Sequence, residues 1–300
     1  MNRKGFLKLL ALFGIQTLYP NLYSYPRGKM QTRIIPSTSE SIPVIGLGTY
    51  MSFDMTAGTK AFQNQVEVYK KFYSLGGRLL DSSPMYGLAE EAIGHIVPKT
   101  DSIFYATKVW TRGKDSGIQQ MNESFKKMKT EKIDLMQIHN LIDWKTHLKT
   151  LRDWKERGKI RYIGITHYVS SAFSQMETIM KTEPIDFIQI PYSVETRDAE
   201  NRILPLAKER KIAVLVNRPF EGGSIFHSFN NKKLPDYFSS LGCKTVASVF
   251  LKYILSEPAV TCIIPATTKL QHMKDNMEAG FSLPEKSEQK NILKYLKELS

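Results

Sequence analysis

Four ionisable side chains, Asp81, Tyr86, Lys108 and His139, combine the group types that acid–base chemistry at a carbonyl needs. A tyrosine alone titrates near ~10, too high for efficient proton exchange around neutrality. A lysine ammonium beside it favours the phenolate and lowers that value. A carboxylate beside the lysine keeps the ammonium charged and fixed where burial would otherwise discharge it. An imidazole adds a hydrogen-bonding group that can orient a substrate oxygen. Together they make a proton donor aimed at a carbonyl oxygen, which suits carbonyl reduction when a hydride source is present.

The elements of the chain must bring these residues together. Arg78-Leu79-Leu80 reads as a short strand stopping at Asp81, followed by a Ser-Ser-Pro turn, Tyr86 and a helix. Alone, Asp-x4-Tyr reads equally as a helix N-cap and a half-buried tyrosine. The next two strand patterns, 103–108 and 133–139, end at Lys108 and His139. Three neighbouring strands each finishing in an ionisable residue form a cluster, with Tyr86 on the loop after the first of them.

The same alternation runs through the chain. A hairpin over 32–45 turns at Pro36-Ser37-Thr38-Ser39. Helical spacing over 58–75, with Phe62, Val66, Tyr69 and Phe72, stops at Gly76-Gly77. Further strands are expected at 162–166, 185–190, 212–217 and 260–265. Helices are expected near 88–96, 116–128, 144–157, 170–181, 197–209, 245–255, 268–280 and 285–298, and a loop over 220–241. Strands of four to seven mostly apolar residues suit a parallel sheet buried on both faces. About eight βα units in some 260 residues match an α/β fold of the (β/α)8 TIM-barrel type, with a short N-terminal hairpin and a C-terminal helix. A doubly wound sheet is the alternative, but no G-x-G-x-x-G follows the first strand.

Composition sets further bounds. The chain of 300 residues is 42% hydrophobic and 24% charged, within the range of globular proteins. Its net charge is +13, but Arg3, Lys4, Lys8, Arg27, Lys29 and Arg33 stand in an opening segment without acidic residues, so 13 − 6 leaves +7 scattered over the rest. That implies mild attraction for anionic small molecules, not a nucleic-acid footprint. Cys243 and Cys262 read as packed thiols, and the six histidines lie far apart without metal-ligand spacing. The absence of His-x-His or clustered strand-end carboxylates argues against a metal-dependent barrel hydrolase. His95 and His147 are expected to be solvated, and Trp110 to form a pocket wall. No apolar run reaches the ~20 residues of a spanning helix, so no integral membrane span is expected. Residues 1–30 read as a leader outside a barrel of 31–300. The leader has basic Arg3-Lys4, an apolar segment over 9–15 and a polar exit. It resembles a twin-arginine export signal with Lys4 in place of the second arginine. Periplasmic export and a cytoplasmic protein with an amphipathic leader are the two readings.

From Thr32 to the last helix the chain resembles the aldo/keto reductase superfamily. The likeness rests on Gly46-Leu47-Gly48-Thr49-Tyr50, the 76–87 stretch, Ala106-Thr107-Lys108, the run from Asp134 to Asn140 and Ile263-Ile264-Pro265. The family's Asp-Tyr-Lys-His tetrad maps onto Asp81, Tyr86, Lys108 and His139 without substitution. The resemblance implies a nicotinamide cofactor bound without a Rossmann domain, hydride transfer to a small carbonyl substrate and Tyr86 as the proton donor. It implies cofactor contacts from Thr49 and Tyr50, from Thr166 and His167 where the family has Ser-Asn, and from Gln189. Asn217 stands where many members place an aromatic residue over the nicotinamide, followed by Arg218 and Phe220, the latter an alternative cover. Thr267, Lys269, His272 and Asn276 match the region that takes the 2′-phosphate, with His272 at the expected arginine. NADP is thereby favoured, NAD being possible. The same family resemblance leaves a second reading, a nucleotide-binding regulatory subunit like the β subunits of voltage-gated potassium channels. Substrate identity and oligomeric state do not follow from these residues.

Overall fold

Apolar strand segments separated by amphipathic helices bury both strand faces when the sheet curls inside a helical shell, and this chain folds that way. The computed structural model describes residues 28–229 and 233–299. The leader, as far as residue 27, lies outside the described residues. An antiparallel hairpin, β1 (Thr32–Ile34) and β2 (Ser41–Pro43), precedes eight parallel strands. These are β3 (Leu47–Gly48), β4 (Leu79–Asp81), β5 (Phe104–Val109), β6 (Ile133–His139), β7 (Ile160–Thr166), β8 (Phe187–Pro191), β9 (Ala213–Asn217) and β10 (Cys262–Ile263). They pair in sequence order. The seam closes where Ile263 N donates to Val44 O (2.9 Å), Gly46 N to Ile263 O (2.8 Å) and Gly48 N to Pro265 O (3.1 Å). A Cβ on Gly48 would stand 2.6 Å from Ile264 O, so the Gly-Leu-Gly run is what lets the first strand meet the last.

The connecting helices are α1 (Lys60–Ser74), α2 (Ala89–Ile96), α3 (Lys114–Lys127), α4 (Trp144–Glu156), α5 (Phe173–Thr182) and α6 (Ile203–Glu209). After β9 come α7 (Asp236–Ser240) and α8 (Val246–Leu255), then α9 (Leu270–Ala279) and the closing α10 (Glu288–Leu299). The fold is the expected (β/α)8 barrel with its hairpin and C-terminal helix. Local chemistry sets the ends: Thr59 caps α1 by accepting Phe62 N (3.2 Å), and Thr245 with Ser248 forms a capping box on α8.

Two elements differ from expectation. The 220–241 segment is not plain loop, since it holds a 3₁₀ stretch over Glu221–Phe229 and the short α7. Phe226 and Phe229 bring their rings within 5.6 and 5.3 Å of Phe250, while Gly222 and Gly223 take positive φ and interrupt the helical pattern. The helix expected over 197–209 splits into a 3₁₀ turn and α6, because Arg202 takes a non-helical conformation. Glu200 in that turn accepts the hydroxyls of Tyr192 (2.8 Å) and Tyr253 (2.5 Å).

Side chains alternate along each strand. Leu79, Phe104, Ala106, Leu135, Tyr162, Phe187, Ala213, Leu215 and Cys262 form one buried cluster inside the barrel, and Ile35 and Ile42 of the hairpin close its floor. The intervening residues pack against the helices. Glu40 pins the hairpin in place by accepting from Tyr162 Oη (2.5 Å) and from Arg161. Cys243 and Cys262 are buried free thiols.

Candidate active site

The inward parity of the apolar floor, continued toward the strand C-termini, selects the polar residues. From Leu79 it leads to Asp81, from Ala106 to Lys108, from Leu135 to Gln137 and His139, from Tyr162 to Gly164 and Thr166, and from Phe187 to Gln189. Register sets them side by side, with Lys108 opposite Gln137, Gln137 opposite Gly164, His139 opposite Thr166 and Thr166 opposite Gln189. This is the end of a barrel at which loops build sites.

Asp81 is the hub. Its Oδ2 accepts from Lys108 Nζ at 2.7 Å, and its Oδ1 from Gln137 Nε2 (2.9 Å) and Gln189 Nε2 (2.8 Å). Lys108, without solvent access, also donates to Ser82 O (2.6 Å). Burial pulls the Lys108 pKa down, but Asp81 and Tyr86 outweigh it, so the ammonium is held above its ordinary value. Lys108 Nζ stands 5.1 Å from the centre of the Tyr86 ring. Burial raises the Tyr86 phenol pKa and the Lys108 charge only partly offsets that, so the net shift is upward. The lysine was expected to lower it. In this protein the phenol keeps its proton at neutral pH, as an acid must.

His139 lies beside them, its ring 6.0 Å from that of Tyr86 and nearly perpendicular to it. Burial, the Lys108 charge and His167 push its pKa down to about 3. The imidazole is therefore neutral around pH 7. The unfolded chain takes up this proton near 6.5, the folded one only near 3. The unfolded state thus binds more protons between those values, and stability falls as pH drops through that window. In urea titrations the His139→Gln variant is expected to lose less stability than the wild type between pH 7 and 5. An equal loss in both would refute the neutral imidazole.

Rings and sulfurs line the mouth. Tyr50 (59% exposed) meets the Tyr86 ring edge-on at 5.1 Å, and Trp110 (39% exposed), expected as a pocket wall, has its ring 6.5 Å from that of His139. Met51, Met85 and Tyr168 are exposed on the loops after β3, β4 and β7.

The residues expected to bind a cofactor fall into different settings. Thr49 is fully buried, and its hydroxyl donates within the frame, to Asp81 O (3.0 Å) and Ser82 Oγ (2.9 Å). Thr166 Oγ1 donates to Gln189 Oε1 (3.2 Å). Gln189 Nε2 has Asp81 Oδ1 and Gln137 Oε1 as its two acceptors, leaving one carbonyl lone pair free. His167 Nδ1 accepts Tyr168 N (3.1 Å) and Val169 N (3.3 Å), so its ring orders its own loop, and its backbone O accepts from Asn217 Nδ2 (3.1 Å). Asn217 Oδ1 is buried without a partner, as is Asn140 Oδ1 just past His139. Arg218 is exposed with positive φ, 3.8 Å from Glu221, and Phe220 packs on Phe226 at 5.3 Å. Thr267 Oγ1 accepts Lys269 N (3.1 Å) at the start of α9, which has no side-chain cap. Lys269 and His272 are exposed there, while Asn276 is buried.

Sequence reasoning passed over Gln137 and Ser83. Gln137 carried a usable signal, standing two residues before His139 on one strand and therefore facing the same side. A Cβ on Gly164 would lie 2.9 Å from Gln137 Cγ, so that glycine makes room for the amide. Ser83 Oγ is 3.1 Å from His139 Nδ1. His147, expected in solvent, is fully buried, and its Nε2–H donates to Thr111 O (2.7 Å), tying down the loop that carries Trp110. Among the described residues no three His, Cys, Asp or Glu side chains form a metal-ligand set, and no helix is long and apolar enough to cross a membrane.

Known proteins share this architecture. The model of the aldo/keto reductase family matches residues 44–294. The chain is 28% identical over 205 residues to aldo-keto reductase YhdN of Bacillus subtilis, covering 62% of this chain and 61% of the relative. It is 22% identical over 258 residues to methylglyoxal reductase YeaE of Escherichia coli, covering 82% and 89%. In three dimensions it is similar to an aldo/keto reductase of Klebsiella pneumoniae solved with NADP and acetate (TM-score 0.75, 21% identity, 89% of this chain and 95% of that one). It is also similar to the holo form of an aldo-keto reductase of Bacillus halodurans (TM-score 0.71, 23% identity, 90% and 97%).

Proposed function

Because the chain belongs to the aldo/keto reductase family, we propose that it is an NADP(H)-dependent oxidoreductase that reduces an aldehyde or ketone to the alcohol, with Tyr86 as general acid. The observation that carries this reading is the Lys108 ammonium, buried against Asp81 and facing the Tyr86 ring at 5.1 Å beside a neutral imidazole. The same reading treats residues 31–300 as the reductase and 1–30 as a leader, although Met30 at its end is buried in the barrel's hydrophobic core.

The residues present fit the cofactor. Asn140 Oδ1, just after β6, and Asn217 Oδ1, at the end of β9, are buried acceptors lacking a donor, and the two N–H groups of a carboxamide would satisfy them. The uncapped N-terminus of α9, with Thr267, Lys269 and His272, suits a 2′-phosphate, since free N–H groups and the helix dipole favour an anion. Tyr50 and Arg218, both exposed at the mouth, are available to line the groove. The bound nicotinamide supplies the hydride. Tyr86 gives its proton to the carbonyl oxygen, Lys108 stabilises the phenolate left behind, and Asp81 holds Lys108 charged. His139 orients the carbonyl oxygen. Tyr50, Met51, Met85 and Trp110 cover the apolar part of a substrate and exclude water.

Fluorescence titration with NADPH and NADH, followed by a panel of carbonyls, tests this reading. NADPH is expected to bind more tightly than NADH, and Lys269→Ala to weaken NADPH about tenfold, the worth of one charge-assisted contact, leaving NADH unchanged. Equal weakening of both would remove Lys269 from phosphate recognition. NADPH binding without turnover of any carbonyl would favour the regulatory-subunit reading.

A further inference from the structure

We propose that Ser83 is a positioning residue that sets the tautomer of His139, so that Nε2 carries the ring proton and faces the carbonyl as a donor. The inference rests on the reductase reading for its catalytic meaning, but the tautomer itself is a property of this chain alone.

The geometry leaves Ser83 little choice. Its side chain is fully buried and sits in the turn between Asp81 and Tyr86. Its hydroxyl has two described neighbours within hydrogen-bonding distance, His139 Nδ1 at 3.1 Å and the backbone N of Met85 at 3.5 Å. The Met85 N–H is a donor and can only give a proton to Oγ. Nδ1 is thus the one acceptor within reach of the Ser83 O–H. Were Nδ1 protonated, the buried hydroxyl would face two donors and its own proton would be left unmade, which costs free energy in a site closed to water. The bond runs from Ser83 Oγ–H to a bare Nδ1, and because the ring is neutral its single proton stays on Nε2. Nε2 has no hydrogen-bonding partner among the described residues, so that N–H is free for a substrate oxygen. The arrangement also joins the turn that carries Tyr86 to the ring that orients the carbonyl. Donor and orienter are therefore set by one short segment, as Tyr86 N donates to Ser83 O (3.0 Å).

The full-length protein labelled with ¹⁵N-histidine tests this, with His139→Asn to assign the signals. In the wild type the His139 Nδ1 resonance is expected to be that of a bare nitrogen and Nε2 that of a protonated one. Ser83→Ala is expected to draw the two resonances toward each other as the tautomers mix. It should lower kcat/KM for an aldehyde by about tenfold, the worth of one oriented hydrogen bond, with the Kd for NADPH unchanged. Ser83→Thr, which keeps the hydroxyl, should restore both readouts. A protonated Nδ1 in the wild type overturns the proposal even if Ser83→Ala does not fold, as does either readout left unmoved by a folded Ser83→Ala. Absence of any carbonyl turnover in the wild type would instead sink the reductase reading, and the resonances would still decide the tautomer.

Discussion

Replacing Tyr86 with phenylalanine is expected to lower carbonyl reduction by about a thousandfold while leaving NADPH binding intact, the magnitude typical of a lost general acid. The substitution removes one oxygen and keeps the ring. The edge-on contact with Tyr50 at 5.1 Å and the perpendicular one with His139 at 6.0 Å are made by the ring itself, so the frame should persist. What disappears is the phenol proton, which Lys108 helps to release. Turnover at saturating NADPH and carbonyl, read beside the fluorescence titration, separates the two effects. A variant within a few fold of the wild-type rate would take the acid role away from Tyr86.

The second large effect concerns stability. Asp81→Asn and Lys108→Met, made singly, are each expected to destabilise the barrel by about 3–5 kcal/mol, because each leaves its partner's charge buried and uncompensated. The pair is 2.7 Å apart with almost no solvent access on either side chain. Gln137 and Gln189 would still donate to residue 81, but two neutral amides do not replace an ammonium. The double variant Asp81→Asn with Lys108→Met is expected to recover much of the loss, since neither charge remains, yet to stay inactive. Urea unfolding of the four proteins measures the coupling. Single variants unfolding at the wild-type midpoint would contradict the charged, buried pair. Lys108 is raised above its ordinary value of 10.5, so its contribution is complete below that pH and is lost only as pH rises through the folded value.

Much of this was legible in the residues because the physics is local. Strand patterns of mostly apolar residues with Asp81, Lys108 and His139 at or next to their ends imply parallel strands with polar ends, and one barrel end must gather them. The expected hairpin and closing helix are present for the same reason: Ile35, Ile42, Ile292 and Leu296 have apolar surface to bury. Long-range contacts were harder to read. His147 looks like a solvated helix residue until Thr111 is brought to its Nε2 from a different loop. Phe226 and Phe229 look like loop residues until Phe250 offers them a surface. The sign of the Tyr86 shift depends on how much burial the fold imposes against one ammonium, a balance that no spacing reveals. Gln137 was readable from strand parity. Ser83 was not, because nothing in Ser-Ser-Pro says which hydroxyl will meet a histidine 56 residues away.

The most direct test of carbonyl reduction follows the hydride. The protein is incubated with NADPH carrying deuterium at both C4 positions and with a panel of aldehydes and ketones, and the products are analysed by mass spectrometry. The predicted result is an alcohol with one deuterium on its carbinol carbon, formed in step with cofactor oxidation and abolished by Tyr86→Phe. Bound NADPH with no labelled alcohol from any carbonyl would contradict it.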